Sequence, residues 1–190
     1  MTRQQFVQTL APGVSYCQQK YGLLPAYLIA MAAWEAGWGV PADSTYYNIH
    51  NPWGVRATCG GYPVIQTSTG QWVEYPSWDA AARDIGLVLS PGCSPHLQEA
   101  WNVRGNGPAF IQELQALGWS GGSTTWAGGV LAQVSSVQAI LAQPTQPTPV
   151  TGVTSPSSAG TFKTIVVPLL GVGLLSGAAV AAGLWGLSKN

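Results

Sequence analysis

Apolar positions over residues 3–21 recur with the period of an amphipathic helix. The residues that share one face, at steps of three and four, are Phe6, Leu10, Val14 and Cys17. Thr2 is placed to cap the first turn of this helix, and Gly22 is placed to end it. The pattern therefore predicts a first helix that buries one apolar face.

The next segment predicts a helix that carries a carboxylate on its last turn. Pro25 suits the first turn of this helix, and Gly37 and Gly39 stop it just after Glu35. The residues predicted to form its buried face are Leu28, Ile29, Ala32 and Ala33. Glu35 lies in the run MAAWEAGWG, where no neighbour in sequence can pair with its charge. Because burial disfavours the charged form, we expect Glu35 to have a raised pKa and to act as a general acid.

The remaining periodic segments predict a mostly helical α+β domain. Residues 41–54 indicate irregular structure, and the β-type runs PVIQT and QWVEY on either side of STG predict a hairpin. Further helices are predicted over residues 78–89, 97–103, 107–117 and about 125–142. Ser77 is placed to cap the first of these helices, and Thr124 or Thr125 is placed to cap the last.

Three regions of the chain differ in composition. Residues 1–143 hold all seven acidic residues and form the predicted folded domain. Residues 144–163 are rich in Pro, Thr, Ser and Gly, which predicts a flexible linker. Residues 164–187 contain no charge, and a helix of that length spans about 36 Å against a bilayer core of about 30 Å. We therefore expect a C-terminal transmembrane helix, with a Gly173 and Gly177 face that can pair with a second copy.

Composition also narrows the classes of partner. Seven acidic and seven basic residues give a formal net charge of zero, which argues against a nucleic-acid partner because phosphates require a basic face. Nine tryptophans occur among many Gly, Ser, Thr, Gln and Asn residues. Such a composition suits a groove whose aromatic rings stack against sugars.

The three cysteines leave two interpretations open. Cys59 and Cys93 can form one disulfide, which leaves Cys17 over. Alternatively, Cys93 and His96 can join His50 and Cys59 in a zinc site, although two short pairs are weak evidence for a metal. We predict no metal and no other cofactor.

The order of three segments carries a resemblance to a known enzyme family. The apolar helix that ends in MAAWEAGWG is followed by YNIHNPWGVR and then by VEYPSWDAAARDIGLVL. In this order the segments resemble the peptidoglycan glucosaminidase family, which includes flagellar rod hydrolases, autolysins and phage lysins. The late segment ELQALGWSGGSTTWAGGVLAQV is similar to the closing part of that family, so the resemblance covers about residues 5–141.

The resemblance implies a lysozyme-like α+β fold and hydrolysis of the β-1,4-linked glycan of peptidoglycan, with Glu35 as the general acid. Aromatic, amide and hydroxyl side chains near this acid are the expected contacts for sugar rings and their acetamido groups. The predicted substrate-binding residues are Trp38, Tyr46, Tyr47, Asn48, Asn51, Trp53, Ser68 and Trp126.

Two departures from the family pattern bear on the mechanism. The family often places a second acid in its hairpin where this chain has Ser68, and Trp119 or Trp126 replaces its late tyrosine. Glu74 and then Asp43 are the candidates for a second carboxylate. Without one, the N-acetyl group of the substrate can act as an internal nucleophile. The alternatives are a muramidase or lytic transglycosylase on the same scaffold, and a non-catalytic glycan-binding or structural membrane protein.

The predicted location follows from the predicted anchor. The N-terminal segment MTRQQFVQTLAPG lacks the apolar core and cleavage site of a secretory signal, so the folded domain is expected to start on the cytoplasmic side. A wall hydrolase held there does not reach peptidoglycan. We therefore expect a virion protein in the membrane of a bacteriophage, used in cell entry or lysis. The alternative is an autolysin anchored in a bacterial cell membrane.

Overall fold

A computed structural model describes residues 1–39 and 45–143, which fold into seven helices and one hairpin. Helix α1 (Arg3–Tyr21) begins with Thr2, whose Oγ1 accepts a hydrogen bond of 3.1 Å from the backbone N–H of Gln5. Gly22 ends this helix in the left-handed conformation. The predicted apolar face of α1 is fully buried, so the prediction of this helix, its cap and its orientation is confirmed.

Helix α2 (Pro25–Glu35) is the centre of the core. Nearly all of its surface is covered, because the six consecutive residues from 28 to 33 are no more than 2% exposed. Helix α2 packs against both α1 and the last helix of the domain, α7 (Trp126–Leu141). Glu35 is therefore the point at which a buried helix reaches the surface.

The segment between α2 and the hairpin is partly helical. Helix α3 (Thr45–Asn48) is a single turn inside the stretch that the sequence predicted to be irregular, so that prediction is wrong for these residues. Strands β1 (Val64–Thr67) and β2 (Gly70–Val73) pair in antiparallel register with a two-residue turn between them. The predicted hairpin is confirmed.

Three further helices complete the described domain. They are α4 (Trp78–Val88), α5 (Gln98–Asn102), which follows a 3₁₀ turn at Pro95–Leu97, and α6 (Gly107–Ala116). Ser77 caps α4 as predicted, since its Oγ accepts a hydrogen bond of 3.1 Å from the backbone N–H of Ala80. Helix α4 packs along α1.

The start of α7 differs from the prediction. Thr125 occupies the capping position, but its side chain makes no capping hydrogen bond. Instead, Gln115 on α6 accepts a hydrogen bond of 2.7 Å through Oε1 from the backbone N–H of Ala127. A side chain from the preceding helix thus satisfies a free N–H group of the first turn of α7.

Cys59 and Cys93 form a disulfide, which decides between the two interpretations of the cysteines. Both thiols are consumed, so they cannot also ligate zinc with His50 and His96. His50 instead places Nδ1 2.9 Å from the carbonyl oxygen of Tyr75. The disulfide joins the chain just before the hairpin to the turn after α4, and Cys17 is buried as a free thiol.

Several predictions concern residues that lie outside the described ranges. They are the candidate acid Asp43, the linker 144–163, the transmembrane helix 164–187 and its Gly173 and Gly177 face. Within residues 1–39 and 45–143, no helix combines the length and the apolar character that a membrane span requires.

Candidate active site

The backbone turns sharply away from α2 immediately after Glu35. Gly37, Trp38 and Gly39 have φ values of 58°, 63° and 69°, so three consecutive residues lie in the left-handed region. Glycine adopts this region freely, whereas it costs a tryptophan about 1 kcal/mol or more. The turn therefore ends α2 at the acid and leaves the carboxylate on its last turn.

Packing of the Trp38 ring holds this strained turn in place. The ring is 8% exposed and meets Phe6 edge to face at 6.1 Å between ring centroids. The guanidinium carbon of Arg3 lies 4.9 Å from the centroid of the indole. Trp38, which the sequence predicted to contact substrate, is thus enclosed by α1 and does not line the groove described below.

Glu35 is partly buried and has one hydrogen-bond donor. The indole Nε1–H of Trp126, at the start of α7, donates to Glu35 Oε1 at 2.5 Å. Burial raises the pKa of Glu35 above that of an ordinary glutamate, while the hydrogen bond from Trp126 lowers it by a smaller amount. The net upward shift keeps this carboxyl protonated to a higher pH, which is the property a general acid needs.

Glu35 opens into a groove of about 720 Å³. One side is formed by residues 53–57 and the hairpin, and the opposite side by the loop between α6 and α7. The tryptophans that line the groove are Trp34, Trp53, Trp72, Trp119 and Trp126. Among the residues that the structure describes, Glu35 is the single carboxylate and Arg56 the single cation in this lining.

Trp34 presents an exposed aromatic surface beside the acid. Its side chain is 44% exposed, although it belongs to the most buried helix of the domain. The indole lies directly over Gly129 of α7, where an added Cβ would overlap the ring. The missing side chain at Gly129 therefore lets this ring lie flat against α7 while its outer face borders the groove.

Two residues that were predicted to contact substrate, Asn51 and Trp53, are instead buried beneath the surface of the groove. Asn51 is fully buried, and its side chain makes three hydrogen bonds to the backbone of Val55 and Val73 at 2.8 to 2.9 Å. Trp53 is 1% exposed and donates its indole N–H to the carbonyl oxygen of Leu28 at 2.8 Å, while its ring edge contributes to the groove. Both residues fix the shape of the groove floor.

The other predicted residues whose side chains the structure describes are not part of this lining, and the side chain of Tyr46 lies outside the described part. Tyr47 is half-buried, packs edge to face against Trp78 at 5.5 Å, and belongs with Tyr46 and Asn48 to α3. Ser68 is exposed in the hairpin turn, and the candidate acid Glu74 is exposed just after β2. Of the predicted set, the structure brings Glu35, Trp53 and Trp126 together at the groove.

Arg56, Trp72 and the small polar residues of the loop between α6 and α7 were not predicted to belong to the site, whereas Trp119 in that loop was one of the two candidates for the family's late tyrosine. Arg56 ends the segment YNIHNPWGVR, which carries the family resemblance, but the sequence does not show that its side chain faces the groove, and Trp72 lies in a strand with no local signal of its own. The wall between α6 and α7 does have a signal, because GWSGGSTTW combines tryptophans with small polar residues.

Comparisons with known proteins agree with the resemblance seen in the sequence. The model of the family described as mannosyl-glycoprotein endo-beta-N-acetylglucosaminidase matches residues 11–141. A probable N-acetylmuramidase of Lactococcus lactis subsp. cremoris is 27% identical over 59% of this chain. The match covers 28% of that protein, so the chain spans little more than a quarter of the length of this relative.

Solved structures share the fold. The glycoside hydrolase domain of FlgJ from Salmonella typhimurium is 22% identical, with a TM-score of 0.57 over 74% of this chain and 91% of that one. A peptidoglycan hydrolase from Sphingomonas sp. A1 is 24% identical, with a TM-score of 0.56 over 73% and 92%. With the family match over most of its length, the chain belongs to the glucosaminidase family.

Proposed function

We propose that the described domain cleaves the β-1,4-linked glycan strand of peptidoglycan, with Glu35 as the general acid. The observation that carries the proposal is a single carboxyl, held partly buried at the end of α2, with a raised pKa and an opening into an aromatic groove. Membership of the glucosaminidase family supports this reading, as does the name of the Lactococcus relative.

The lining of the groove favours a mechanism in which the substrate supplies the nucleophile. Among the described residues no second carboxylate lies in the groove, whereas the two-carboxylate scheme requires a partner within about 10 Å. Glu35 would protonate the leaving oxygen while the acetamido oxygen of the substrate attacks C1 and forms an oxazolinium. Water then opens this ring and returns a proton to the Glu35 carboxylate. The products would retain the anomeric configuration.

The products of the full chain on purified peptidoglycan test the proposal. Soluble fragments that end in reducing N-acetylglucosamine identify a glucosaminidase, and fragments that end in reducing N-acetylmuramic acid identify a muramidase, as the name of the Lactococcus relative suggests. A 1,6-anhydro end identifies a lytic transglycosylase. Absence of soluble fragments contradicts the proposed cleavage and favours a non-catalytic glycan-binding role.

Replacing Trp126 by phenylalanine is expected to shift the alkaline limb of the pH profile of kcat/KM to higher pH. The indole N–H stabilises the charged form of Glu35, so its loss raises the pKa of this carboxyl further. The acid then remains protonated, and active, to a higher pH. Trp119→Phe is the matched control, because Trp119 lines the same groove without a hydrogen bond to Glu35. An equal shift in both variants, or a shift to lower pH, contradicts the assignment.

Gly129→Ala is expected to raise KM for glycan strands about threefold to tenfold, because the new methyl group displaces Trp34 from its place on α7. Gly128→Ala is the matched control, since an added Cβ there meets open space and alanine favours a helix. Steady-state kinetics on soluble glycan strands measures both variants. A KM that Gly129→Ala leaves unchanged contradicts a role for the Trp34 ring in binding.

We also propose that residues 164–187 tether the enzyme to a membrane, either that of a bacteriophage particle or that of a bacterial cell. The support is the length of the uncharged run and the Pro-, Thr- and Ser-rich segment 144–163 before it. Extraction of the full chain by detergent but not by high salt is the expected result. Its detection in purified virions would favour the particle, and its absence there would favour the cell membrane.

A further inference from the structure

Arg56 lines the groove directly after a residue whose backbone N–H and carbonyl oxygen are both hydrogen-bonded. The preceding residue, Val55, donates its N–H to Asn51 Oδ1 at 2.8 Å, and its carbonyl oxygen accepts from Asn51 Nδ2 at 2.8 Å. The same carbonyl also accepts a hydrogen bond of 2.9 Å from the backbone N–H of Val73 in the hairpin. Because Asn51 is fully buried, the chain has little freedom at the point where the Arg56 side chain leaves it.

The guanidinium group itself rests on an aromatic ring of the groove. Its central carbon lies 4.5 Å from the centroid of Trp72, whose ring is 5% exposed. The Trp72 indole N–H donates to Thr69 Oγ1 at 3.0 Å, which fixes the plane of the ring. A cation stacked in this way keeps its N–H donors directed outward, around the rim of the ring.

The positive charge of Arg56 has no acidic partner within the described part of the chain. The ion pair found there joins Arg83 to Asp79 on α4, away from the groove. No described carboxylate therefore engages the guanidinium of Arg56, and its donors are available to an anion in the groove.

We propose that Arg56 binds a carboxylate of the muramic acid residue, or of the peptide attached to it, and so selects anionic wall glycan over neutral chitin-like glycan. The inference rests on the proposed function and adds a substrate class to it. The tryptophan rings would contact the sugar rings of both kinds of strand alike. A planar guanidinium instead pairs with a carboxylate through two parallel hydrogen bonds.

The test measures glycan binding by the full chain carrying Glu35→Gln, so that the ligands survive. Three ligands of equal length are compared by calorimetry: N-acetylglucosamine oligomers, peptide-free wall strands with a free lactyl carboxylate, and peptide-bearing wall strands. Arg56→Gln is expected to weaken binding of an anionic strand about tenfold more than that of the neutral oligomer. A loss on peptide-free strands identifies the lactyl carboxylate, and a loss confined to peptide-bearing strands identifies a carboxylate of the peptide.

Two further variants separate charge recognition from general damage. Arg83→Gln is the matched control, because Arg83 also stacks on an aromatic ring, that of Tyr16 at 5.1 Å, but lies on α4 outside the groove, and it is expected to leave all three affinities unchanged. Arg56→Lys keeps the charge and loses the two-pronged donor, so it should restore part of the affinity. Raising the salt concentration should weaken binding of the anionic strands selectively.

Equal losses of affinity on neutral and anionic strands, or no loss on either, would overturn the assignment of Arg56. Failure of this inference can be distinguished from failure of the proposed function. If the unmodified chain releases fragments from peptidoglycan while Arg56→Gln shows no selective loss, only the role of Arg56 is wrong. If the unmodified chain releases none, the proposed cleavage is wrong whatever the binding data show.

Discussion

Glu35→Gln is expected to slow the release of soluble fragments from peptidoglycan by about 10² to 10⁴-fold, the contribution typical of a positioned general acid. Glutamine has nearly the same shape, and its carbonyl oxygen can still accept the hydrogen bond from Trp126. The substitution therefore removes the transferable proton and leaves the groove in place. Initial rates on purified peptidoglycan, measured with the full chain, check this result.

The stability of Glu35→Gln shows whether any loss of activity comes from the missing proton or from unfolding of the domain. Burial raises the pKa of Glu35 in the folded state, so this state holds the proton at pH values where the unfolded chain has lost it. Stability then falls as the pH rises from the unfolded pKa through the folded pKa. Glu35→Gln should be at least as stable as the parent at neutral pH, and the gain should disappear in acid.

The control for this variant is Glu99→Gln, because Glu99 is exposed on α5 outside the groove and is expected to retain full activity. Thermal unfolding followed by circular dichroism across the pH range supplies the stability data. A Glu35→Gln variant that is folded and keeps parental activity would show that Glu35 is not the acid.

Removing the disulfide with Cys59→Ser and Cys93→Ser together is expected to lower the free energy of unfolding by about 2 to 4 kcal/mol. The bridge closes a loop of 34 residues, and its loss lets the unfolded chain explore many more conformations. For a domain of this size the melting temperature should fall by about 10 °C. Denaturant unfolding of the parent and the double variant measures the difference.

The bridge also ties together two parts of the groove wall. Ala57 lies two residues before one cysteine, and Ser94 lies directly after the other, and both line the groove. Glycan turnover by the double variant should therefore fall below that of the parent even at temperatures where both are folded. A thiol reductant should destabilise the parent alone. Sensitivity of the double variant to the reductant would mean that the effect has another source.

Local patterns were sufficient to predict the elements that depend on neighbours in sequence. The buried face and the Thr2 cap of α1, the hairpin, and the arrival of Glu35 at the end of α2 all follow from residues within a few positions of one another. The spacing of apolar residues predicts the buried face of α1, and the placement of glycines predicts where α2 ends. The absence of a charge near Glu35 in the sequence predicts that its carboxyl has no ionic partner there. The raised pKa of Glu35 followed from the same apolar run.

The parts of the site that could not be predicted depend on partners distant in the chain. Trp126 reaches Glu35 across 91 positions, and Asn51 reaches Val73 across 22. Asn51 and Trp38 carry the residue types of sugar contacts, yet the fold uses one to hold backbone and the other to brace a turn. Only tertiary structure separates a polar side chain that meets substrate from one that meets the chain itself.

The hydrogen bond from Ala127 to Gln115 ties the two helices that flank the loop of the groove wall directly to each other. This bond joins the end of α6 to the first turn of α7, so the start of α7, and with it Trp126, has a tie to α6 that does not run through residues 118–124. Lengthening such a loop costs little, about 0.6 kcal/mol for each doubling. This segment is therefore the place where new glycan preferences could be grafted, by exchange of the loop, while the acid and its indole donor stay where they are.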